Sequence, residues 1–310
     1  MSDPNHCDQT CPLSCAEICA AHPNGAVPPI DLGETLTRFG REATRGTCDT
    51  GRYRMPYFTW GEGPPLLFIH GVSDTSHSFI MPIARLAARF RCIAYDQPGS
   101  RGDGARLRRY THADLVEDVW ALLDHLQVPR TYVLGSSFGS TITLAAMRSR
   151  PERVPRAILQ GGLARRPLSR PERMLARVGR FLPGCMHHVP LRKKVLSLVN
   201  QKPFAGRPPT HWKYFLDCSG RGPIKAFAYQ ALMIDRLDLR SLLPEVRQPV
   251  LLVCGDRDRV IGPAFTEVLL KGLPNVGRVV LEGCGHVPSY THPEALAEVV
   301  RQFLTPAGCH

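Results

Sequence analysis

One serine of this 310-residue chain stands in a pattern that suits nucleophilic chemistry. Residues 135–139 read Gly-Ser-Ser-Phe-Gly, so Ser137 has one glycine two positions before it and another two positions after it. The apolar run 132–134 predicts a short buried strand, and residues 141–148 are helix-like. A tight strand-to-helix turn needs small flanking residues and projects the central hydroxyl out of the sheet. The same pattern also fits a plain turn, so residues elsewhere must decide.

Three further polar motifs follow predicted buried strands. They are His70-Gly71 after residues 65–69, Asp258 after residues 249–254, and His286 after residues 278–281. Open parallel sheets place their sites at the carboxyl ends of the strands, so these motifs are expected to converge near Ser137. A serine hydroxyl is a weak nucleophile at neutral pH and needs an adjacent base, and a histidine is suited to that role.

The order Ser137, Asp258, His286, with the His-Gly pair upstream, resembles the α/β-hydrolase superfamily. The resemblance runs from about residue 50 to the end and is least similar over residues 163–247. It implies an α/β fold with a mostly parallel, doubly wound sheet and an inserted helical lid. Within the family pattern, the acid stands three residues after the glycine that ends its strand, which favours Asp258 over its rival Asp256.

The resemblance also implies a role for each residue. Ser137 would be the nucleophile, His286 its base and later the acid, and Asp258 the carboxylate that orients the histidine. Backbone N–H groups of Val72 and Phe138 would form the oxyanion hole. Ser73 could add a hydroxyl there or stabilise the turn, and His70 is expected to pack without transferring protons.

The segment 163–247 is expected to choose the substrate, because it would cover the strand ends. Phe181, Trp212 and Phe215 are its candidate pocket residues, and the alternative for each is a place in the core of the lid. Further apolar candidates are Leu182, Tyr214, Phe227 and Met233.

The alternation of strands and helices predicts the domain organisation. Residues 49–162 and 248–310 form the core, 163–247 the lid, and 1–48 an extension. The lid carries 17 Lys+Arg and 5 Asp+Glu, so it holds the whole net charge of +12. That charge indicates a solvated face or weak association with an anionic surface. The sequence contains no zinc-finger or RNP pattern, so no nucleic-acid partner is expected.

Location and cofactors follow from what the sequence lacks. No apolar run is long enough to cross a bilayer, and no secretory signal is evident, so a cytoplasmic location with free thiols is expected. Four cysteines stand four apart, at Cys7, Cys11, Cys15 and Cys19, and their thiolates could bind zinc or an iron–sulfur cluster. The sequence lacks a second paired cluster, which favours a flexible tail instead. No metal or other cofactor is therefore expected.

The expected function is that of a serine esterase of the carboxylesterase or lipase type, acting on a small-molecule ester. A lactonase, a thioesterase and a carbon–carbon bond hydrolase would share the same triad and stay open as alternatives. Ser140 weakens the last of these, since that position is often glycine in such enzymes. A receptor-like protein that binds a ligand without turnover is the alternative from another class.

Overall fold

The computed structural model describes residues 29–99 and 103–305 of the chain. Within them a single sheet is built from the strands β1 (Thr44–Asp49), β2 (Arg54–Trp60), β3 (Pro65–Ile69), β4 (Arg91–Tyr95), β5 (Tyr132–Ser136), β6 (Ala157–Gln160), β7 (Val250–Gly255) and β8 (Val276–Leu281). Their spatial order is β1-β2-β4-β3-β5-β6-β7-β8. Strand β2 runs antiparallel to both of its neighbours, and the remaining pairs are parallel. The predicted mostly parallel sheet is therefore confirmed.

The α-helices are α1 (Leu32–Glu42), α2 (Ile80–Leu86), α3 (His112–His125), α4 (Phe138–Ser149), α5 (Arg170–Gly179), α6 (Arg192–Asn200), α7 (Pro209–Cys218), α8 (Ile224–Arg236), α9 (Pro263–Gly272), α10 (Pro288–Thr291) and α11 (Pro293–Leu304). Short 3₁₀ helices occupy Ser76–Phe79, Leu107–Arg109, Met186–His188, Lys202–Phe204 and Arg240–Glu245. In the part of the chain that is described, no helix has the length and apolar character needed to cross a membrane.

Helices cover both faces of the sheet because the central strands are apolar on both sides. In β3, Leu67 and Ile69 pack with α3 and α4, whereas Leu66 and Phe68 pack with α2 and α11. Parallel strands buried on both faces appear in a sequence as continuous apolar runs. This is why the run 65–69 predicted its strand with the correct bounds.

The folded core extends further toward the amino terminus than the predicted boundary at residue 48. Asp31 caps α1 by accepting the Glu34 N–H, and Phe39 of this helix is buried in the core. Strand β1 then forms the edge of the sheet, where Cys48 is its single buried residue. Because its other side chains are not buried, β1 lacks the alternation that predicts a strand. Cys7, Cys11, Cys15 and Cys19 lie outside the described residues.

Between β6 and β7, the segment 163–247 contains α5 to α8, and we call it the helical insert. It contacts the loops that follow three strands. A Cβ on Gly99, after β4, would lie 2.5 Å from the Ala226 Cβ, and one on Gly285, after β8, would lie 2.7 Å from Pro203 Cγ. After β3, the Ser73 hydroxyl donates to the Ser219 carbonyl. The insert therefore lies over the carboxyl ends of the strands.

Candidate active site

Ser137 occupies a strained turn between β5 and α4. Its φ of 50° and ψ of −116° lie in a region that residues with a Cβ rarely adopt, at a cost of about 1 to 3 kcal/mol. The two flanking glycines are sterically required. A Cβ on Gly139 would overlap the carbonyl oxygen of Ile69, and one on Gly135 would overlap the hydroxyl of Thr143. The turn thus holds Ser137 at the end of its strand, as the spacing predicted.

Asp258 and His286 form a hydrogen-bonded pair. The Nδ1 of His286 lies 2.8 Å from Oδ2 of Asp258, and both side chains are largely buried. The other carboxylate oxygen of Asp258 accepts the N–H groups of Val260 and Ile261 at 2.8 and 2.9 Å. A carboxylate held on both oxygens has a fixed orientation. The rival Asp256 accepts from the Cys284 N–H at 3.1 Å instead.

Ser137 and His286 both lie against the end of β6. The Ser137 N–H donates to the Gln160 carbonyl at 2.8 Å. The next residue, Gly161, has a φ of +54°, and a Cβ there would lie 2.9 Å from Cε1 of His286. Within the described residues the Ser137 hydroxyl makes no hydrogen bond to the imidazole. Such bonds often tighten only when a substrate binds.

Two backbone N–H groups stand beside Ser137 without an acceptor. A Cβ on Gly71 would lie 3.2 Å from the Ser137 Cβ, so the Gly71–Val72 peptide is adjacent to the serine. Phe138 begins α4, and the first N–H groups of a helix have no partner within it. Among the residues that the structure describes, neither Val72 N–H nor Phe138 N–H donates a hydrogen bond to the protein. Both are available to an anionic oxygen.

Buried His70 orients one of these two groups. The Gln97 N–H donates to His70 Nε2 at 3.0 Å, so Nε2 carries no proton and Nδ1 carries it. The Nδ1–H donates to the Gly71 carbonyl at 2.8 Å. That carbonyl belongs to the same planar peptide as the Val72 N–H, so the imidazole, together with a 3.4 Å bond from the Asp74 N–H, sets the direction of the Val72 N–H. The sequence indicated only packing for His70, because its partner Gln97 lies 27 residues away.

This arrangement agrees with the comparisons to known proteins. Residues 64–293 match the family model described as the alpha/beta hydrolase fold. The chain belongs to the α/β-hydrolase fold family.

The relatives of this α/β hydrolase include named esterases. The chain is similar to the pimeloyl-[acyl-carrier protein] methyl ester esterase of Neisseria meningitidis serogroup B, with 29% identity over 76% of this chain and 91% of that protein. A thermophilic esterase from Thermogutta terrifontis has a similar structure, with a TM-score of 0.74 and 22% identity over 84% of this chain and 98% of that one. The enol-lactonase from Burkholderia xenovorans LB400 also has a TM-score of 0.74, with 23% identity over 85% and 100% of the two chains. These relatives support an ester hydrolase.

The residues predicted to form the pocket of this α/β hydrolase lie in three different environments. Phe181 is 74% exposed to solvent. Phe215 is buried in the aromatic core of the insert, and Trp212 packs beside it at 5.4 Å between ring centroids. Ser73, at a φ of 62°, uses its hydroxyl to hold Ser219. The sequence could not separate outer from inner apolar residues, because helix rotation within the insert depends on tertiary packing.

A cavity of about 370 Å³ adjoins the Asp258 loop instead. It is lined by Leu198, Val199, Lys202, Pro203, Asp256, Arg257, Asp258 and Arg259. Basic side chains from the insert and from the loop after β7 therefore meet beside the carboxylate that orients His286.

Buried polar groups support the loop that carries Val72. The Tyr290 hydroxyl donates to Asp74 at 2.7 Å, and burial raises the pKa of that carboxyl.

Cys284, next to the His286 loop, is buried, and desolvation raises the pKa of its thiol to about 12. A thiol with such a pKa is not a nucleophile at neutral pH. Across residues 29–99 and 103–305, no group of His, Cys, Asp or Glu is arranged to hold a metal ion.

Proposed function

We propose that this α/β hydrolase cleaves carboxylic esters through an acyl-enzyme intermediate on Ser137. The observation that carries the proposal is the 2.8 Å hydrogen bond between Asp258 and His286. This pair follows β7 and β8 and lies against Gly161 at the end of β6, the strand beside the Ser137 turn. Because Nδ1 of His286 is engaged by the carboxylate, Nε2 is the nitrogen left to act as a base. The two unpartnered N–H groups beside Ser137 add support, since ester cleavage passes through an oxyanion.

The reaction would proceed in two halves. His286 takes the proton of Ser137 while the serine oxygen attacks the ester carbonyl carbon. The resulting oxyanion accepts hydrogen bonds from Val72 and Phe138. When the intermediate collapses, the bond to the alcohol oxygen breaks and His286 protonates the leaving alcohol. Water, deprotonated by the same histidine, then attacks acyl-Ser137 and releases the acid. No step requires a cofactor.

The meningococcal relative is named for the methyl ester of an acyl group on a carrier protein. This supports an acyl ester of a small alcohol as the substrate class. Release of p-nitrophenol from acyl esters of increasing chain length would test the activity and define the acyl length that the site accepts. We expect wild-type turnover and loss of it in Ser137→Ala, because the attacking oxygen is gone.

Ser136→Ala is the matched control. Its hydroxyl lies in the same motif but accepts from Gln160 Nε2 at 2.8 Å, so we expect most turnover to remain. Mass spectrometry of the quenched reaction is expected to find the acyl group on Ser137. Turnover near the wild-type rate from correctly folded Ser137→Ala protein would refute the mechanism.

A further inference from the structure

The helical insert holds most of the exposed apolar surface. In the described part of the chain, ten large apolar side chains are exposed, and eight of them belong to the insert. These eight are Met174, Leu175, Val178, Phe181, Leu182, Leu191, Val195 and Leu198. Grouped exposure of this kind marks a surface that contacts something other than water.

Helix α5 places three of these eight side chains on one face. Met174, Leu175 and Val178 follow the exposed Pro171 at spacings of three, four and seven residues, which places them on one helix face. Leu175 is 69% exposed and Met174 68%. The opposite side of the helix packs on the insert, where a Cβ on Gly179 would lie 3.2 Å from Ala228 Cβ. We call Pro171, Met174, Leu175, Val178 and the adjoining Phe181 the apolar stripe.

A row of arginines runs beside the apolar stripe. Its members, at spacings of three, four and three residues, are Arg170, Arg173, Arg177 and Arg180. Arg173 is held by Asp235 at 2.6 Å, and the guanidinium of Arg180 lies 4.6 Å from the ring centroid of Phe181. With 17 basic and 5 acidic residues, the insert as a whole has a net charge of +12. An anionic surface would be attracted to this face.

We propose that the insert docks this protein on an anionic lipid surface through the apolar stripe. Helices that lie in a membrane interface combine an exposed apolar face with Lys or Arg along its border. The stripe supplies side chains that enter the acyl boundary, and the arginines supply contacts to anionic headgroups. A polyanion such as a nucleic acid would use the charges and leave the apolar side chains in water.

A second exposed apolar row lies on a helix of the insert that lines the cavity beside Asp258. On α6 and just before it, Leu191, Val195 and Leu198 are exposed at spacings of four and three residues. Leu198 also lines the cavity beside Asp258. The exposed apolar surface of the insert therefore includes one side chain at the cavity beside the Asp258 loop. Docking goes beyond the proposed ester hydrolysis and does not require it.

Cosedimentation of full-length Ser137→Ala protein with vesicles tests the docking, since a protein without the nucleophile leaves the lipids intact. We expect retention on phosphatidylserine-rich vesicles, little on phosphatidylcholine alone, and weaker retention as salt is added. Met174→Gln/Leu175→Gln/Val178→Gln is expected to lower the partition coefficient more than about tenfold. Arg170→Gln/Arg177→Gln is expected to lower it about 25-fold, from about fivefold per charge.

Two control variants lie outside the insert, and vesicle retention is measured independently of ester turnover. Leu36→Gln and Arg108→Gln change an exposed apolar and an exposed basic residue outside the insert, and we expect wild-type retention from both. Absence of retention at low salt would overturn the proposal, and so would retention that the Met174→Gln/Leu175→Gln/Val178→Gln variant leaves unchanged. A dimer that this variant dissociates, without vesicle binding, would assign the stripe to a second copy. Ester turnover of each variant is measured with Ser137 intact.

Discussion

Replacing His70 by leucine tests how the Val72 N–H is aimed. Leucine fills much of the same volume but makes neither of the two hydrogen bonds of the imidazole. The Gln97 N–H, now at 3.0 Å from Nε2, would lose its partner in a buried place, and the Gly71 carbonyl, now at 2.8 Å from Nδ1, would keep only the 3.4 Å hydrogen bond from the Asp74 N–H. An unsatisfied buried group costs about 1 to 3 kcal/mol and the loss of one hydrogen bond about 0.5 to 1.5 kcal/mol, so we expect the free energy of unfolding to fall by about 1.5 to 4.5 kcal/mol.

We also expect His70→Leu to lower turnover, because His70 holds the peptide that carries the Val72 N–H. Without the bond to Nδ1–H, the Gly71–Val72 peptide is held at its carbonyl only by the 3.4 Å bond from the Asp74 N–H, and we expect its own N–H to turn away from the oxyanion position. Loss of one oxyanion donor lowers kcat by about 10² to 10³. KM for a p-nitrophenyl ester is expected to change little, because the donor acts mainly on the intermediate. His70→Asn is the comparison, since its side-chain amide can still donate to the Gly71 carbonyl and is expected to retain more of kcat.

The measurements are urea unfolding followed by circular dichroism, and kcat per folded active site. Titration with a serine-reactive phosphonate counts the sites, so that lost stability is not mistaken for lost catalysis. Wild-type kcat from folded His70→Leu protein would show that the Val72 N–H is positioned independently of His70, and the reasoning would be wrong.

Three further outcomes are expected. Asp258→Asn keeps its bonds to Val260 and Ile261 but presents an amide N–H to His286, which favours the wrong tautomer, so kcat should fall about 10³- to 10⁴-fold; unchanged ester turnover would exclude Asp258 from the triad. Gly139→Ala places a methyl group against the Ile69 carbonyl and should lower the free energy of unfolding by about 3 kcal/mol or more. Gly40→Ala, which has open space in α1, should raise it by up to about 1 kcal/mol. Equal urea midpoints for the two variants would contradict this reasoning. Desolvation lowers the pKa of His112 to about 4, so below about pH 6.5 the unfolded chain binds more protons than the folded one. The free energy of unfolding should therefore fall as the pH drops from about 6.5 to 4. Thermal unfolding at several pH values should show a smaller dependence of stability on pH in His112→Gln.

The Ser137 turn and most of the sheet were predictable because they depend on local properties of the chain. Strand β3 has the bounds that its apolar run predicted, the run 132–134 lies within β5, and the helix-like residues 141–148 lie within α4. Thr111 caps α3 and forms a reciprocal pair of hydrogen bonds with Asp114. Glycine on both sides of Ser137 is a steric requirement of the turn, so spacing alone located it.

Other features arise only when distant segments meet. The sequence alone determined which residues form the central strands and which serine occupies the turn, because apolar periodicity and glycine sterics act within a few residues. Tertiary packing decided that polar β1 joins the sheet, that His70 bonds to Gln97, and that Phe215 is buried while Phe181 is exposed. These outcomes depend on partners many residues away and on how each helix of the insert is rotated, which no local pattern specifies.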